Sequence, residues 1–172
     1  MNRDYSFHPE LVDDNAFIAP GAVVVGNVSV RSGASIWYNA VVRGDAEQIV
    51  VGCDSNVQDL AMLHADPGFP CLVGEGVTIG HGAVVHGAVV EDGVMIGMRA
   101  VVMNGAKIGA GSIIGAGCVV TEGVEVPPNR LVLGVPGKVR RELRDADRDR
   151  IEHASAHYVS ASKEARRQLR GD

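Results

Sequence analysis

Three histidines near the middle of the chain, His64, His81 and His86, are the residues best suited to do chemistry. Neutral imidazole is a preferred ligand of Zn²⁺, and three imidazoles with an open fourth position form a typical catalytic zinc site, which can also accept Co²⁺ or Fe²⁺. The other histidines of the chain show no comparable spacing and are predicted to lie on the surface or in helix packing. Whether the three central imidazoles can converge depends on the elements that carry them.

An aliphatic residue recurs every six positions through most of the chain, usually followed by glycine or another turn-tolerant residue. The frame comprises Ile18, Val24, Val30, Ile36, Val42, Val51, Val57, Leu63, Val73, Ile79 and Val85, then every sixth residue from Ile96 to Val126. A six-residue period fits neither an α-helix nor a long alternating strand, but it fits short strands joined by corners. Three such units per turn predict an all-β parallel β-helix, shaped as a triangular prism, with the aliphatic residues inside.

Two interruptions and a change of composition divide the chain. The step from Val42 to Val51 has three extra residues and residues 64–70 form a small loop, so both are expected at corners of the prism. The tail has an apolar stripe at steps of mostly three and four residues, formed by Leu143, Ile151, Ala154, Tyr158, Ala161, Ala165 and Leu169. This spacing is typical of an amphipathic helix. We predict a β-helix domain over 1–137 and a C-terminal helix over 138–172 that packs on the prism or on a neighbour.

The repeat frame places the three histidines on two edges of the prism. Arg43, His64 and His86 each directly follow an inward residue on the same edge, in three successive turns. His64 and His86 should therefore lie one strand spacing apart. His81 lies on another edge, and the extended segment from His81 to His86 spans about 16 Å. One chain cannot easily bring all three onto one ion, whereas a homotrimer of parallel prisms can join the two edges. We therefore predict one metal ion at each subunit interface.

Polar residues share this register. Asp59 lies beneath His81 and is expected to orient it or to pair with Arg43 across the interface. Gln58 is expected to hydrogen-bond a metal-bound hydroxide or the substrate. Arg43 and Asp45 can also be interpreted as an ion pair at the interface with a purely structural role. A metal ion of this kind lowers the pKa of bound water to about 7 and makes hydroxide available at neutral pH.

Composition excludes several classes of function. The formal net charge of −5 argues against a nucleic-acid or anionic-membrane partner, because phosphate binding needs clustered Lys and Arg. No apolar run approaches the roughly 18 residues of a membrane span, and residues 1–10 lack an apolar leader segment. Cys53, Cys71 and Cys118 have no CxxC spacing and are expected to be reduced thiols. We expect a cytoplasmic protein with a small-molecule substrate.

Several segments resemble the gamma-class carbonic anhydrases and their short bacterial homologues. They are VVRGD at 41–45, NVQD at 56–59, MLHAD at 62–66, IGHGAVVHG at 79–87, IGMRAVVMNGA at 96–106 and GVPGKV before the tail. The resemblance implies a left-handed β-helix, a homotrimer, and zinc or iron bound by the three histidines. It implies substrate-orienting roles for Arg43, Asp45, Gln58 and Asp59. It also implies that Tyr158, within HASAHY, approaches the pocket.

The activity implied by this resemblance is reversible hydration of CO₂, in which hydroxide on the metal attacks CO₂ and bicarbonate leaves. The sequence departs from the most active members of the family, which carry a glutamate directly after RGD and an acidic loop that export the proton. Here Ala46 follows Asp45, and Asp66 is the acidic residue of the 64–70 loop. Glu47, one position further along, can replace the missing glutamate only if the backbone turns its side chain to the side that position 46 would face. We therefore expect low activity, since proton removal limits a fast hydratase.

Two other functions remain open from the sequence. One is a metal-dependent hydrolase, such as an acyl-coenzyme A thioesterase, and the other is a non-catalytic metal-binding trimer. An acyltransferase is the least favoured alternative, because its chemistry does not need three histidine ligands.

Overall fold

The structure is a computed structural model that describes residues 3–170. The predicted domain limits at residues 1 and 172 lie outside the described residues. A short 3₁₀ helix at Pro9–Leu11 comes first, a parallel β-solenoid of about six turns follows, and one long helix ends the chain. The predicted architecture of hexapeptide repeats with a C-terminal helix is confirmed.

The strands lie on three faces of the solenoid. The first face contains β1 (Phe17–Ile18), β3 (Ser35–Ile36), β5 (Asn56–Val57), β8 (Thr78–Ile79), β11 (Met95–Ile96), β14 (Ile113–Ile114) and β17 (Arg130–Leu133), closed by β18 (Lys138–Glu142). The second face contains the first halves of β2 (Val23–Val30) and β4 (Val41–Val51), then β6 (Met62–His64), β9 (Val84–His86), β12 (Val101–Val102) and β15 (Val119–Val120). The third contains the second halves of β2 and β4, then β7 (Cys71–Val73), β10 (Val89–Val90), β13 (Lys107–Ile108) and β16 (Glu125–Val126).

The six-residue frame forms the core. On the first face the inward residues Ile36, Val57, Ile79, Ile96 and Ile114 have no exposed surface. Neighbouring turns pair in parallel register, with Val57 opposite Ile79 on the first face and Leu63 opposite Val85 on the second. Burying each such side chain contributes about 1.5–3 kcal/mol, so the stack is held by a narrow aliphatic column.

The corners need left-handed backbone, as the glycine pattern predicted. Gly82 has φ 65° and Asn39 has φ 57°, conformations that glycine and asparagine adopt readily. Leu60 and Arg99 adopt the same conformation with φ 62° and 57°, which their residue types did not indicate. Leu60 precedes the second face and is 68% exposed.

Both interruptions of the repeat lie at the corner between the second and third faces. Within β4 the pairing with β2 moves from Gly26 opposite Gly44 to Val28 opposite Ile49, which accommodates the extra residues. Residues 65–70 connect β6 to β7 at the same corner one turn later. The backbone N–H of Gly68 donates to Glu47 Oε2 at 3.0 Å, so the two insertions are tied together. Their predicted position at a corner is confirmed.

The helix begins later than predicted. Residues 138–142 form β18, which pairs antiparallel with β17, and α1 spans Asp145–Arg170. The backbone N–H of Arg144 donates to Asp147 Oδ2 at 2.8 Å, which satisfies a group at the helix start that has no partner in the helix. The predicted start at residue 138 is wrong because the sheet edge provides hydrogen bonds for that segment.

The helix packs on its own prism, against the first-face strands β1, β3, β5 and β8. Ile151 is buried, and Ala154 and Tyr158 are half-buried, as the apolar stripe predicted. Leu169 is 55% exposed, and Ser162 is buried in the last turns of the helix. Within residues 3–170, no helix has both the length and the apolar character that a membrane crossing requires.

Candidate metal centre

His64 and His86 lie side by side on neighbouring strands, as the repeat frame predicted. In the pairing of β6 with β9 His64 is opposite His86, and in that of β4 with β6 Arg43 is opposite His64. His64 Nδ1 is 2.9 Å from His86 Nε2, and the ring centroids are 4.9 Å apart. His64 is buried and His86 is half-buried. The end of the second face therefore presents two imidazoles to one point.

The tautomer of His64 is set by Asp45. The Asp45 side chain has no exposed surface, and its Oδ1 lies 3.0 Å from His64 Nε2. Arg43 also pairs with this carboxylate, as does Arg3 at 3.0 Å. Burial raises the pKa of Asp45, but the hydrogen bond from His64 and the charge of Arg43 outweigh it and lower the pKa. A carboxylate only accepts hydrogen bonds, so in the neutral imidazole His64 Nε2 carries the proton and Nδ1 keeps a lone pair.

The tautomer of His86 is set by Asn104 and Asp66. Asn104 Nδ2 donates to Asp66 Oδ2 at 2.9 Å, so the amide oxygen is the atom turned toward the histidine. That oxygen lies 2.7 Å from His86 Nδ1. His86 Nδ1 must therefore donate, and its Nε2 keeps a lone pair.

The two lone pairs are thus aimed at each other across 2.9 Å. This contact is repulsive unless a cation, either a proton or a metal ion, lies between the nitrogens. Two imidazoles on a tetrahedral zinc ion have nitrogens about 3.3 Å apart, because each Zn–N distance is about 2.0–2.1 Å. An opening of about 0.4 Å would admit the ion. The donor set of this edge therefore fits a divalent metal.

His81 lies on the edge between the first and second faces. Its Nδ1 is 2.9 Å from Asp59 Oδ2, its Nε2 is 3.3 Å from the Tyr158 hydroxyl, and its side chain is 46% exposed. Asp59 thus orients His81 within the subunit, which is one of its two predicted roles. Among residues 3–170, the cluster of potential metal ligands within 4.8 Å of one another contains His64, Asp66 and His86 and does not contain His81. A single chain does not bring the three histidines together.

Gln58 and Tyr158 brace the His81 edge. Gln58 is buried, accepts from the His81 backbone N–H at 3.1 Å and donates to Asn56 Oδ1 at 3.1 Å. The ring of Tyr158 packs edge-on against Trp37 at 5.2 Å. Burial and the negative charge of Asp59 raise the pKa of Tyr158, so its hydroxyl stays protonated and donates to His81.

The sequence reasoning missed Asn104 and assigned no ligand role to Asp66. Val102 pairs with Val85, so the strand after β9 brings residue 104 beside the end of the His86 strand. Continuing the repeat by one more turn puts Met103 in register with His86 and Asn104 one position further along, so counting alone did not indicate Asn104 as a partner of His86. The position of Asp66 depends on the path of a six-residue loop, which the repeat does not determine.

Comparisons with known proteins identify the family of this chain. A family model described as bacterial transferase hexapeptide repeats matches residues 87–122. A Methanocaldococcus jannaschii protein named "Probable carbonic anhydrase" is 49% identical, over 89% of this chain and 96% of that protein. Gamma carbonic anhydrase 2, mitochondrial, from Arabidopsis thaliana is 35% identical over 89% of this chain and 57% of that protein. A solved hexapeptide transferase family protein from Anaplasma phagocytophilum has a TM-score of 0.85 at 34% identity, covering 88% and 90% of the two chains. The chain belongs to the gamma-class carbonic anhydrase family of hexapeptide-repeat proteins.

Proposed function

We propose that this protein is a metal-dependent carbonic anhydrase that interconverts CO₂ and bicarbonate at sites shared between subunits of a homotrimer. One observation carries the proposal: each of the three histidines has one ring nitrogen held by Asp45, Asn104 or Asp59, which leaves the other nitrogen for an ion. Such partners are typical of metal-binding histidines. Zinc is the proposed ion, with Fe²⁺ or Co²⁺ as alternatives. When bound, it would supply the Lewis acidity that lowers the pKa of a water to about 7.

The outward side of the second face supports association of subunits. The residue directly before each inward position of this face is apolar and at least partly exposed: Val23, Val41, Met62, Val84, Val101 and Val119. The third face is mixed and includes charged residues at the corresponding positions: Ser29, Val50, Leu72, Val89, Lys107 and Glu125. A continuous exposed apolar surface is typical of an interaction site. Because this face runs from the His81 edge to the His64/His86 edge, packing through it would bring the two edges of neighbouring subunits together.

Arg43 and Tyr158 are the groups proposed to handle the substrate. The Arg43 side chain is 34% exposed and bonds Asp45 through Nη1. The remaining guanidinium N–H groups can hold bicarbonate by charge-assisted hydrogen bonds. Tyr158 donates to His81 Nε2 in the single subunit, so its hydroxyl has to turn away when that nitrogen binds an ion. It then lies beside the site as a donor to a substrate oxygen.

Removal of the proton is expected to limit the rate of hydration. Ala46 has no acidic group, and Glu47 accepts from the backbone N–H groups of Gln48 and Gly68, which lowers its pKa. A proton acceptor works best with a pKa near the working pH, and this shift moves Glu47 further from it. We propose slow hydration that depends on proton acceptors in the buffer.

A hydrolase acting on thioesters is the second candidate. A groove of about 580 Å³ runs between the first face and the helix, beside His81 and Gln58. Met95, Met98 and Ile113 form part of its apolar lining, which could hold an acyl chain. The solved transferase relative has the same solenoid.

The cytoplasm as the compartment of this protein remains a prediction from composition.

Metal analysis of protein purified without added metal, followed by activity assays, tests the proposal. We expect bound divalent metal and CO₂ hydration in a pH-indicator assay. The same preparation is then tested on a panel of acyl-coenzyme A thioesters. Bound metal with thioester turnover and no hydration would replace the carbonic anhydrase with the hydrolase. Bound metal without either activity would leave a metal-binding trimer.

A further inference from the structure

We infer that Asp66 is a metal ligand, and that His64, Asp66 and His86 form a complete three-ligand site within one subunit. The inference rests on the proposed metal centre and adds a step to it. A subunit could load its ion on this set before His81 of a neighbouring subunit arrives. No residue on the His81 edge is needed for that first step.

The first support is distance. One ligand atom from each of the three residues lies within 4.8 Å of the other two. Ligand atoms on a tetrahedral ion are about 3.3 Å apart, so the side chains need to move by about 1.5 Å or less. We assign that movement to the half-buried Asp66 side chain.

The second support is that one Asp66 oxygen is available. Oδ2 accepts from Asn104 Nδ2 at 2.9 Å, whereas Oδ1 makes no hydrogen bond among residues 3–170. The loop that carries Asp66 is held in place, since the Phe69 N–H donates to the Asp66 carbonyl at 2.9 Å and the Gly68 N–H donates to Glu47. The carboxylate is therefore presented to the histidine pair by a fixed backbone.

The third support is the chemistry of the set. Two imidazoles and one carboxylate bind zinc in several hydrolytic enzymes and bind Fe²⁺ in the facial triad. The Asp66 charge also offsets that of the ion, which two neutral imidazoles do not. When His81 joins, Asp66 Oδ1 can leave the ion while Oδ2 keeps its bond with Asn104, which fixes the proton on His86 Nδ1. The same carboxylate thus has two roles, one through each oxygen.

A narrower role for Asp66 must be separated from this one. Asp66 could act only as a positioning residue that orients His86 through Asn104. Its effect on metal affinity would then be the same whether or not His81 is present, because independent effects add. As a ligand that His81 replaces, Asp66 would matter much more when His81 is missing.

The experiment measures Co²⁺ and Zn²⁺ affinity by chelator competition for the full chain and for Asp66→Asn, His81→Ala and the double variant. Asparagine keeps an oxygen acceptor for Asn104 but removes the charged ligand. Glu122→Gln is the matched control, since it removes an exposed carboxylate from the same edge outside the cluster. Circular dichroism verifies that each variant is folded.

We expect His81→Ala to keep one ion per subunit with weaker affinity. Asp66→Asn alone should lower the metal affinity by less than about 10-fold, and in the His81→Ala background it should lower the affinity by more than about 100-fold. A residue that only supports a ligand typically changes the affinity by roughly 10- to 100-fold. The visible spectrum of Co²⁺ in His81→Ala should change when Asp66 is replaced. The inference would be overturned if Asp66→Asn lowered the metal affinity by the same factor with and without His81, or if His81→Ala bound no metal. Absence of metal on the unmodified chain would instead contradict the proposed function.

Discussion

Replacing Asp45 with asparagine should weaken metal binding without unfolding the chain. The Asp45 carboxylate accepts a charge-assisted hydrogen bond from His64 Nε2 at 3.0 Å, with no exposed surface on its side chain. Its pKa is lowered, so an assay near neutral pH reports on the ionised group. An amide oxygen can still accept this bond, but as a neutral partner. Hydrogen bonds to charged groups contribute roughly 1.5–3 kcal/mol and neutral ones roughly 0.5–1.5 kcal/mol.

The difference of about 1–1.5 kcal/mol corresponds to about a 10-fold loss of zinc affinity for Asp45→Asn. Asp45→Ala removes the partner altogether and lets His64 carry its proton on either nitrogen, so a loss near 100-fold is expected. Chelator competition at neutral pH measures the zinc affinity of both variants, and Asp14→Asn, at an exposed position, is the control. Thermal unfolding verifies that both variants remain folded after losing the Arg43 pair. If both folded variants bind zinc as tightly as the parent, the argument about the His64 proton is wrong.

Three further predictions concern assembly, proton transfer and the core. Met62→Glu places a charge on the apolar second face and should shift sedimentation from trimer to monomer with loss of hydration activity; an unchanged trimer would place the interface elsewhere. Ala46→Glu restores an acid after Asp45 and should raise the hydration rate by roughly 100-fold while removing its dependence on buffer concentration. A rate that stays buffer-dependent would mean that position 46 does not reach the proton path. Ile79→Ala opens a cavity at a fully buried residue and should lower the free energy of unfolding by about 2–5 kcal/mol in urea titrations. Leu60→Ala, at a residue 68% exposed, should change it by less than about 0.5 kcal/mol, and equal losses would contradict the assignment of the core.

Much of the fold was predictable because a six-residue repeat makes register a matter of counting. Val42, Leu63 and Val85 were expected on one edge, and the structure pairs them in that order. The same counting placed His64 beside His86 and Asp59 beside His81. The start of the helix was not predictable in this way, since residues 138–142 have helical composition but find hydrogen bonds at the sheet edge. Local preference was outweighed there by a tertiary partner.

By itself, the sequence determined the solenoid, the edges of the prism and which histidines share an edge, because each of these follows from the period and from the alternation of inward and outward side chains. Only the tertiary structure decided which ring nitrogen of each histidine is held by a carboxylate or an amide oxygen. That depends on Asp45, Asp59 and Asn104, whose side-chain rotations and corner geometry are not encoded in the repeat. It also decided that Asp66 stands next to the histidine pair, since a loop that leaves the solenoid is positioned by its own contacts and not by the register of the strands.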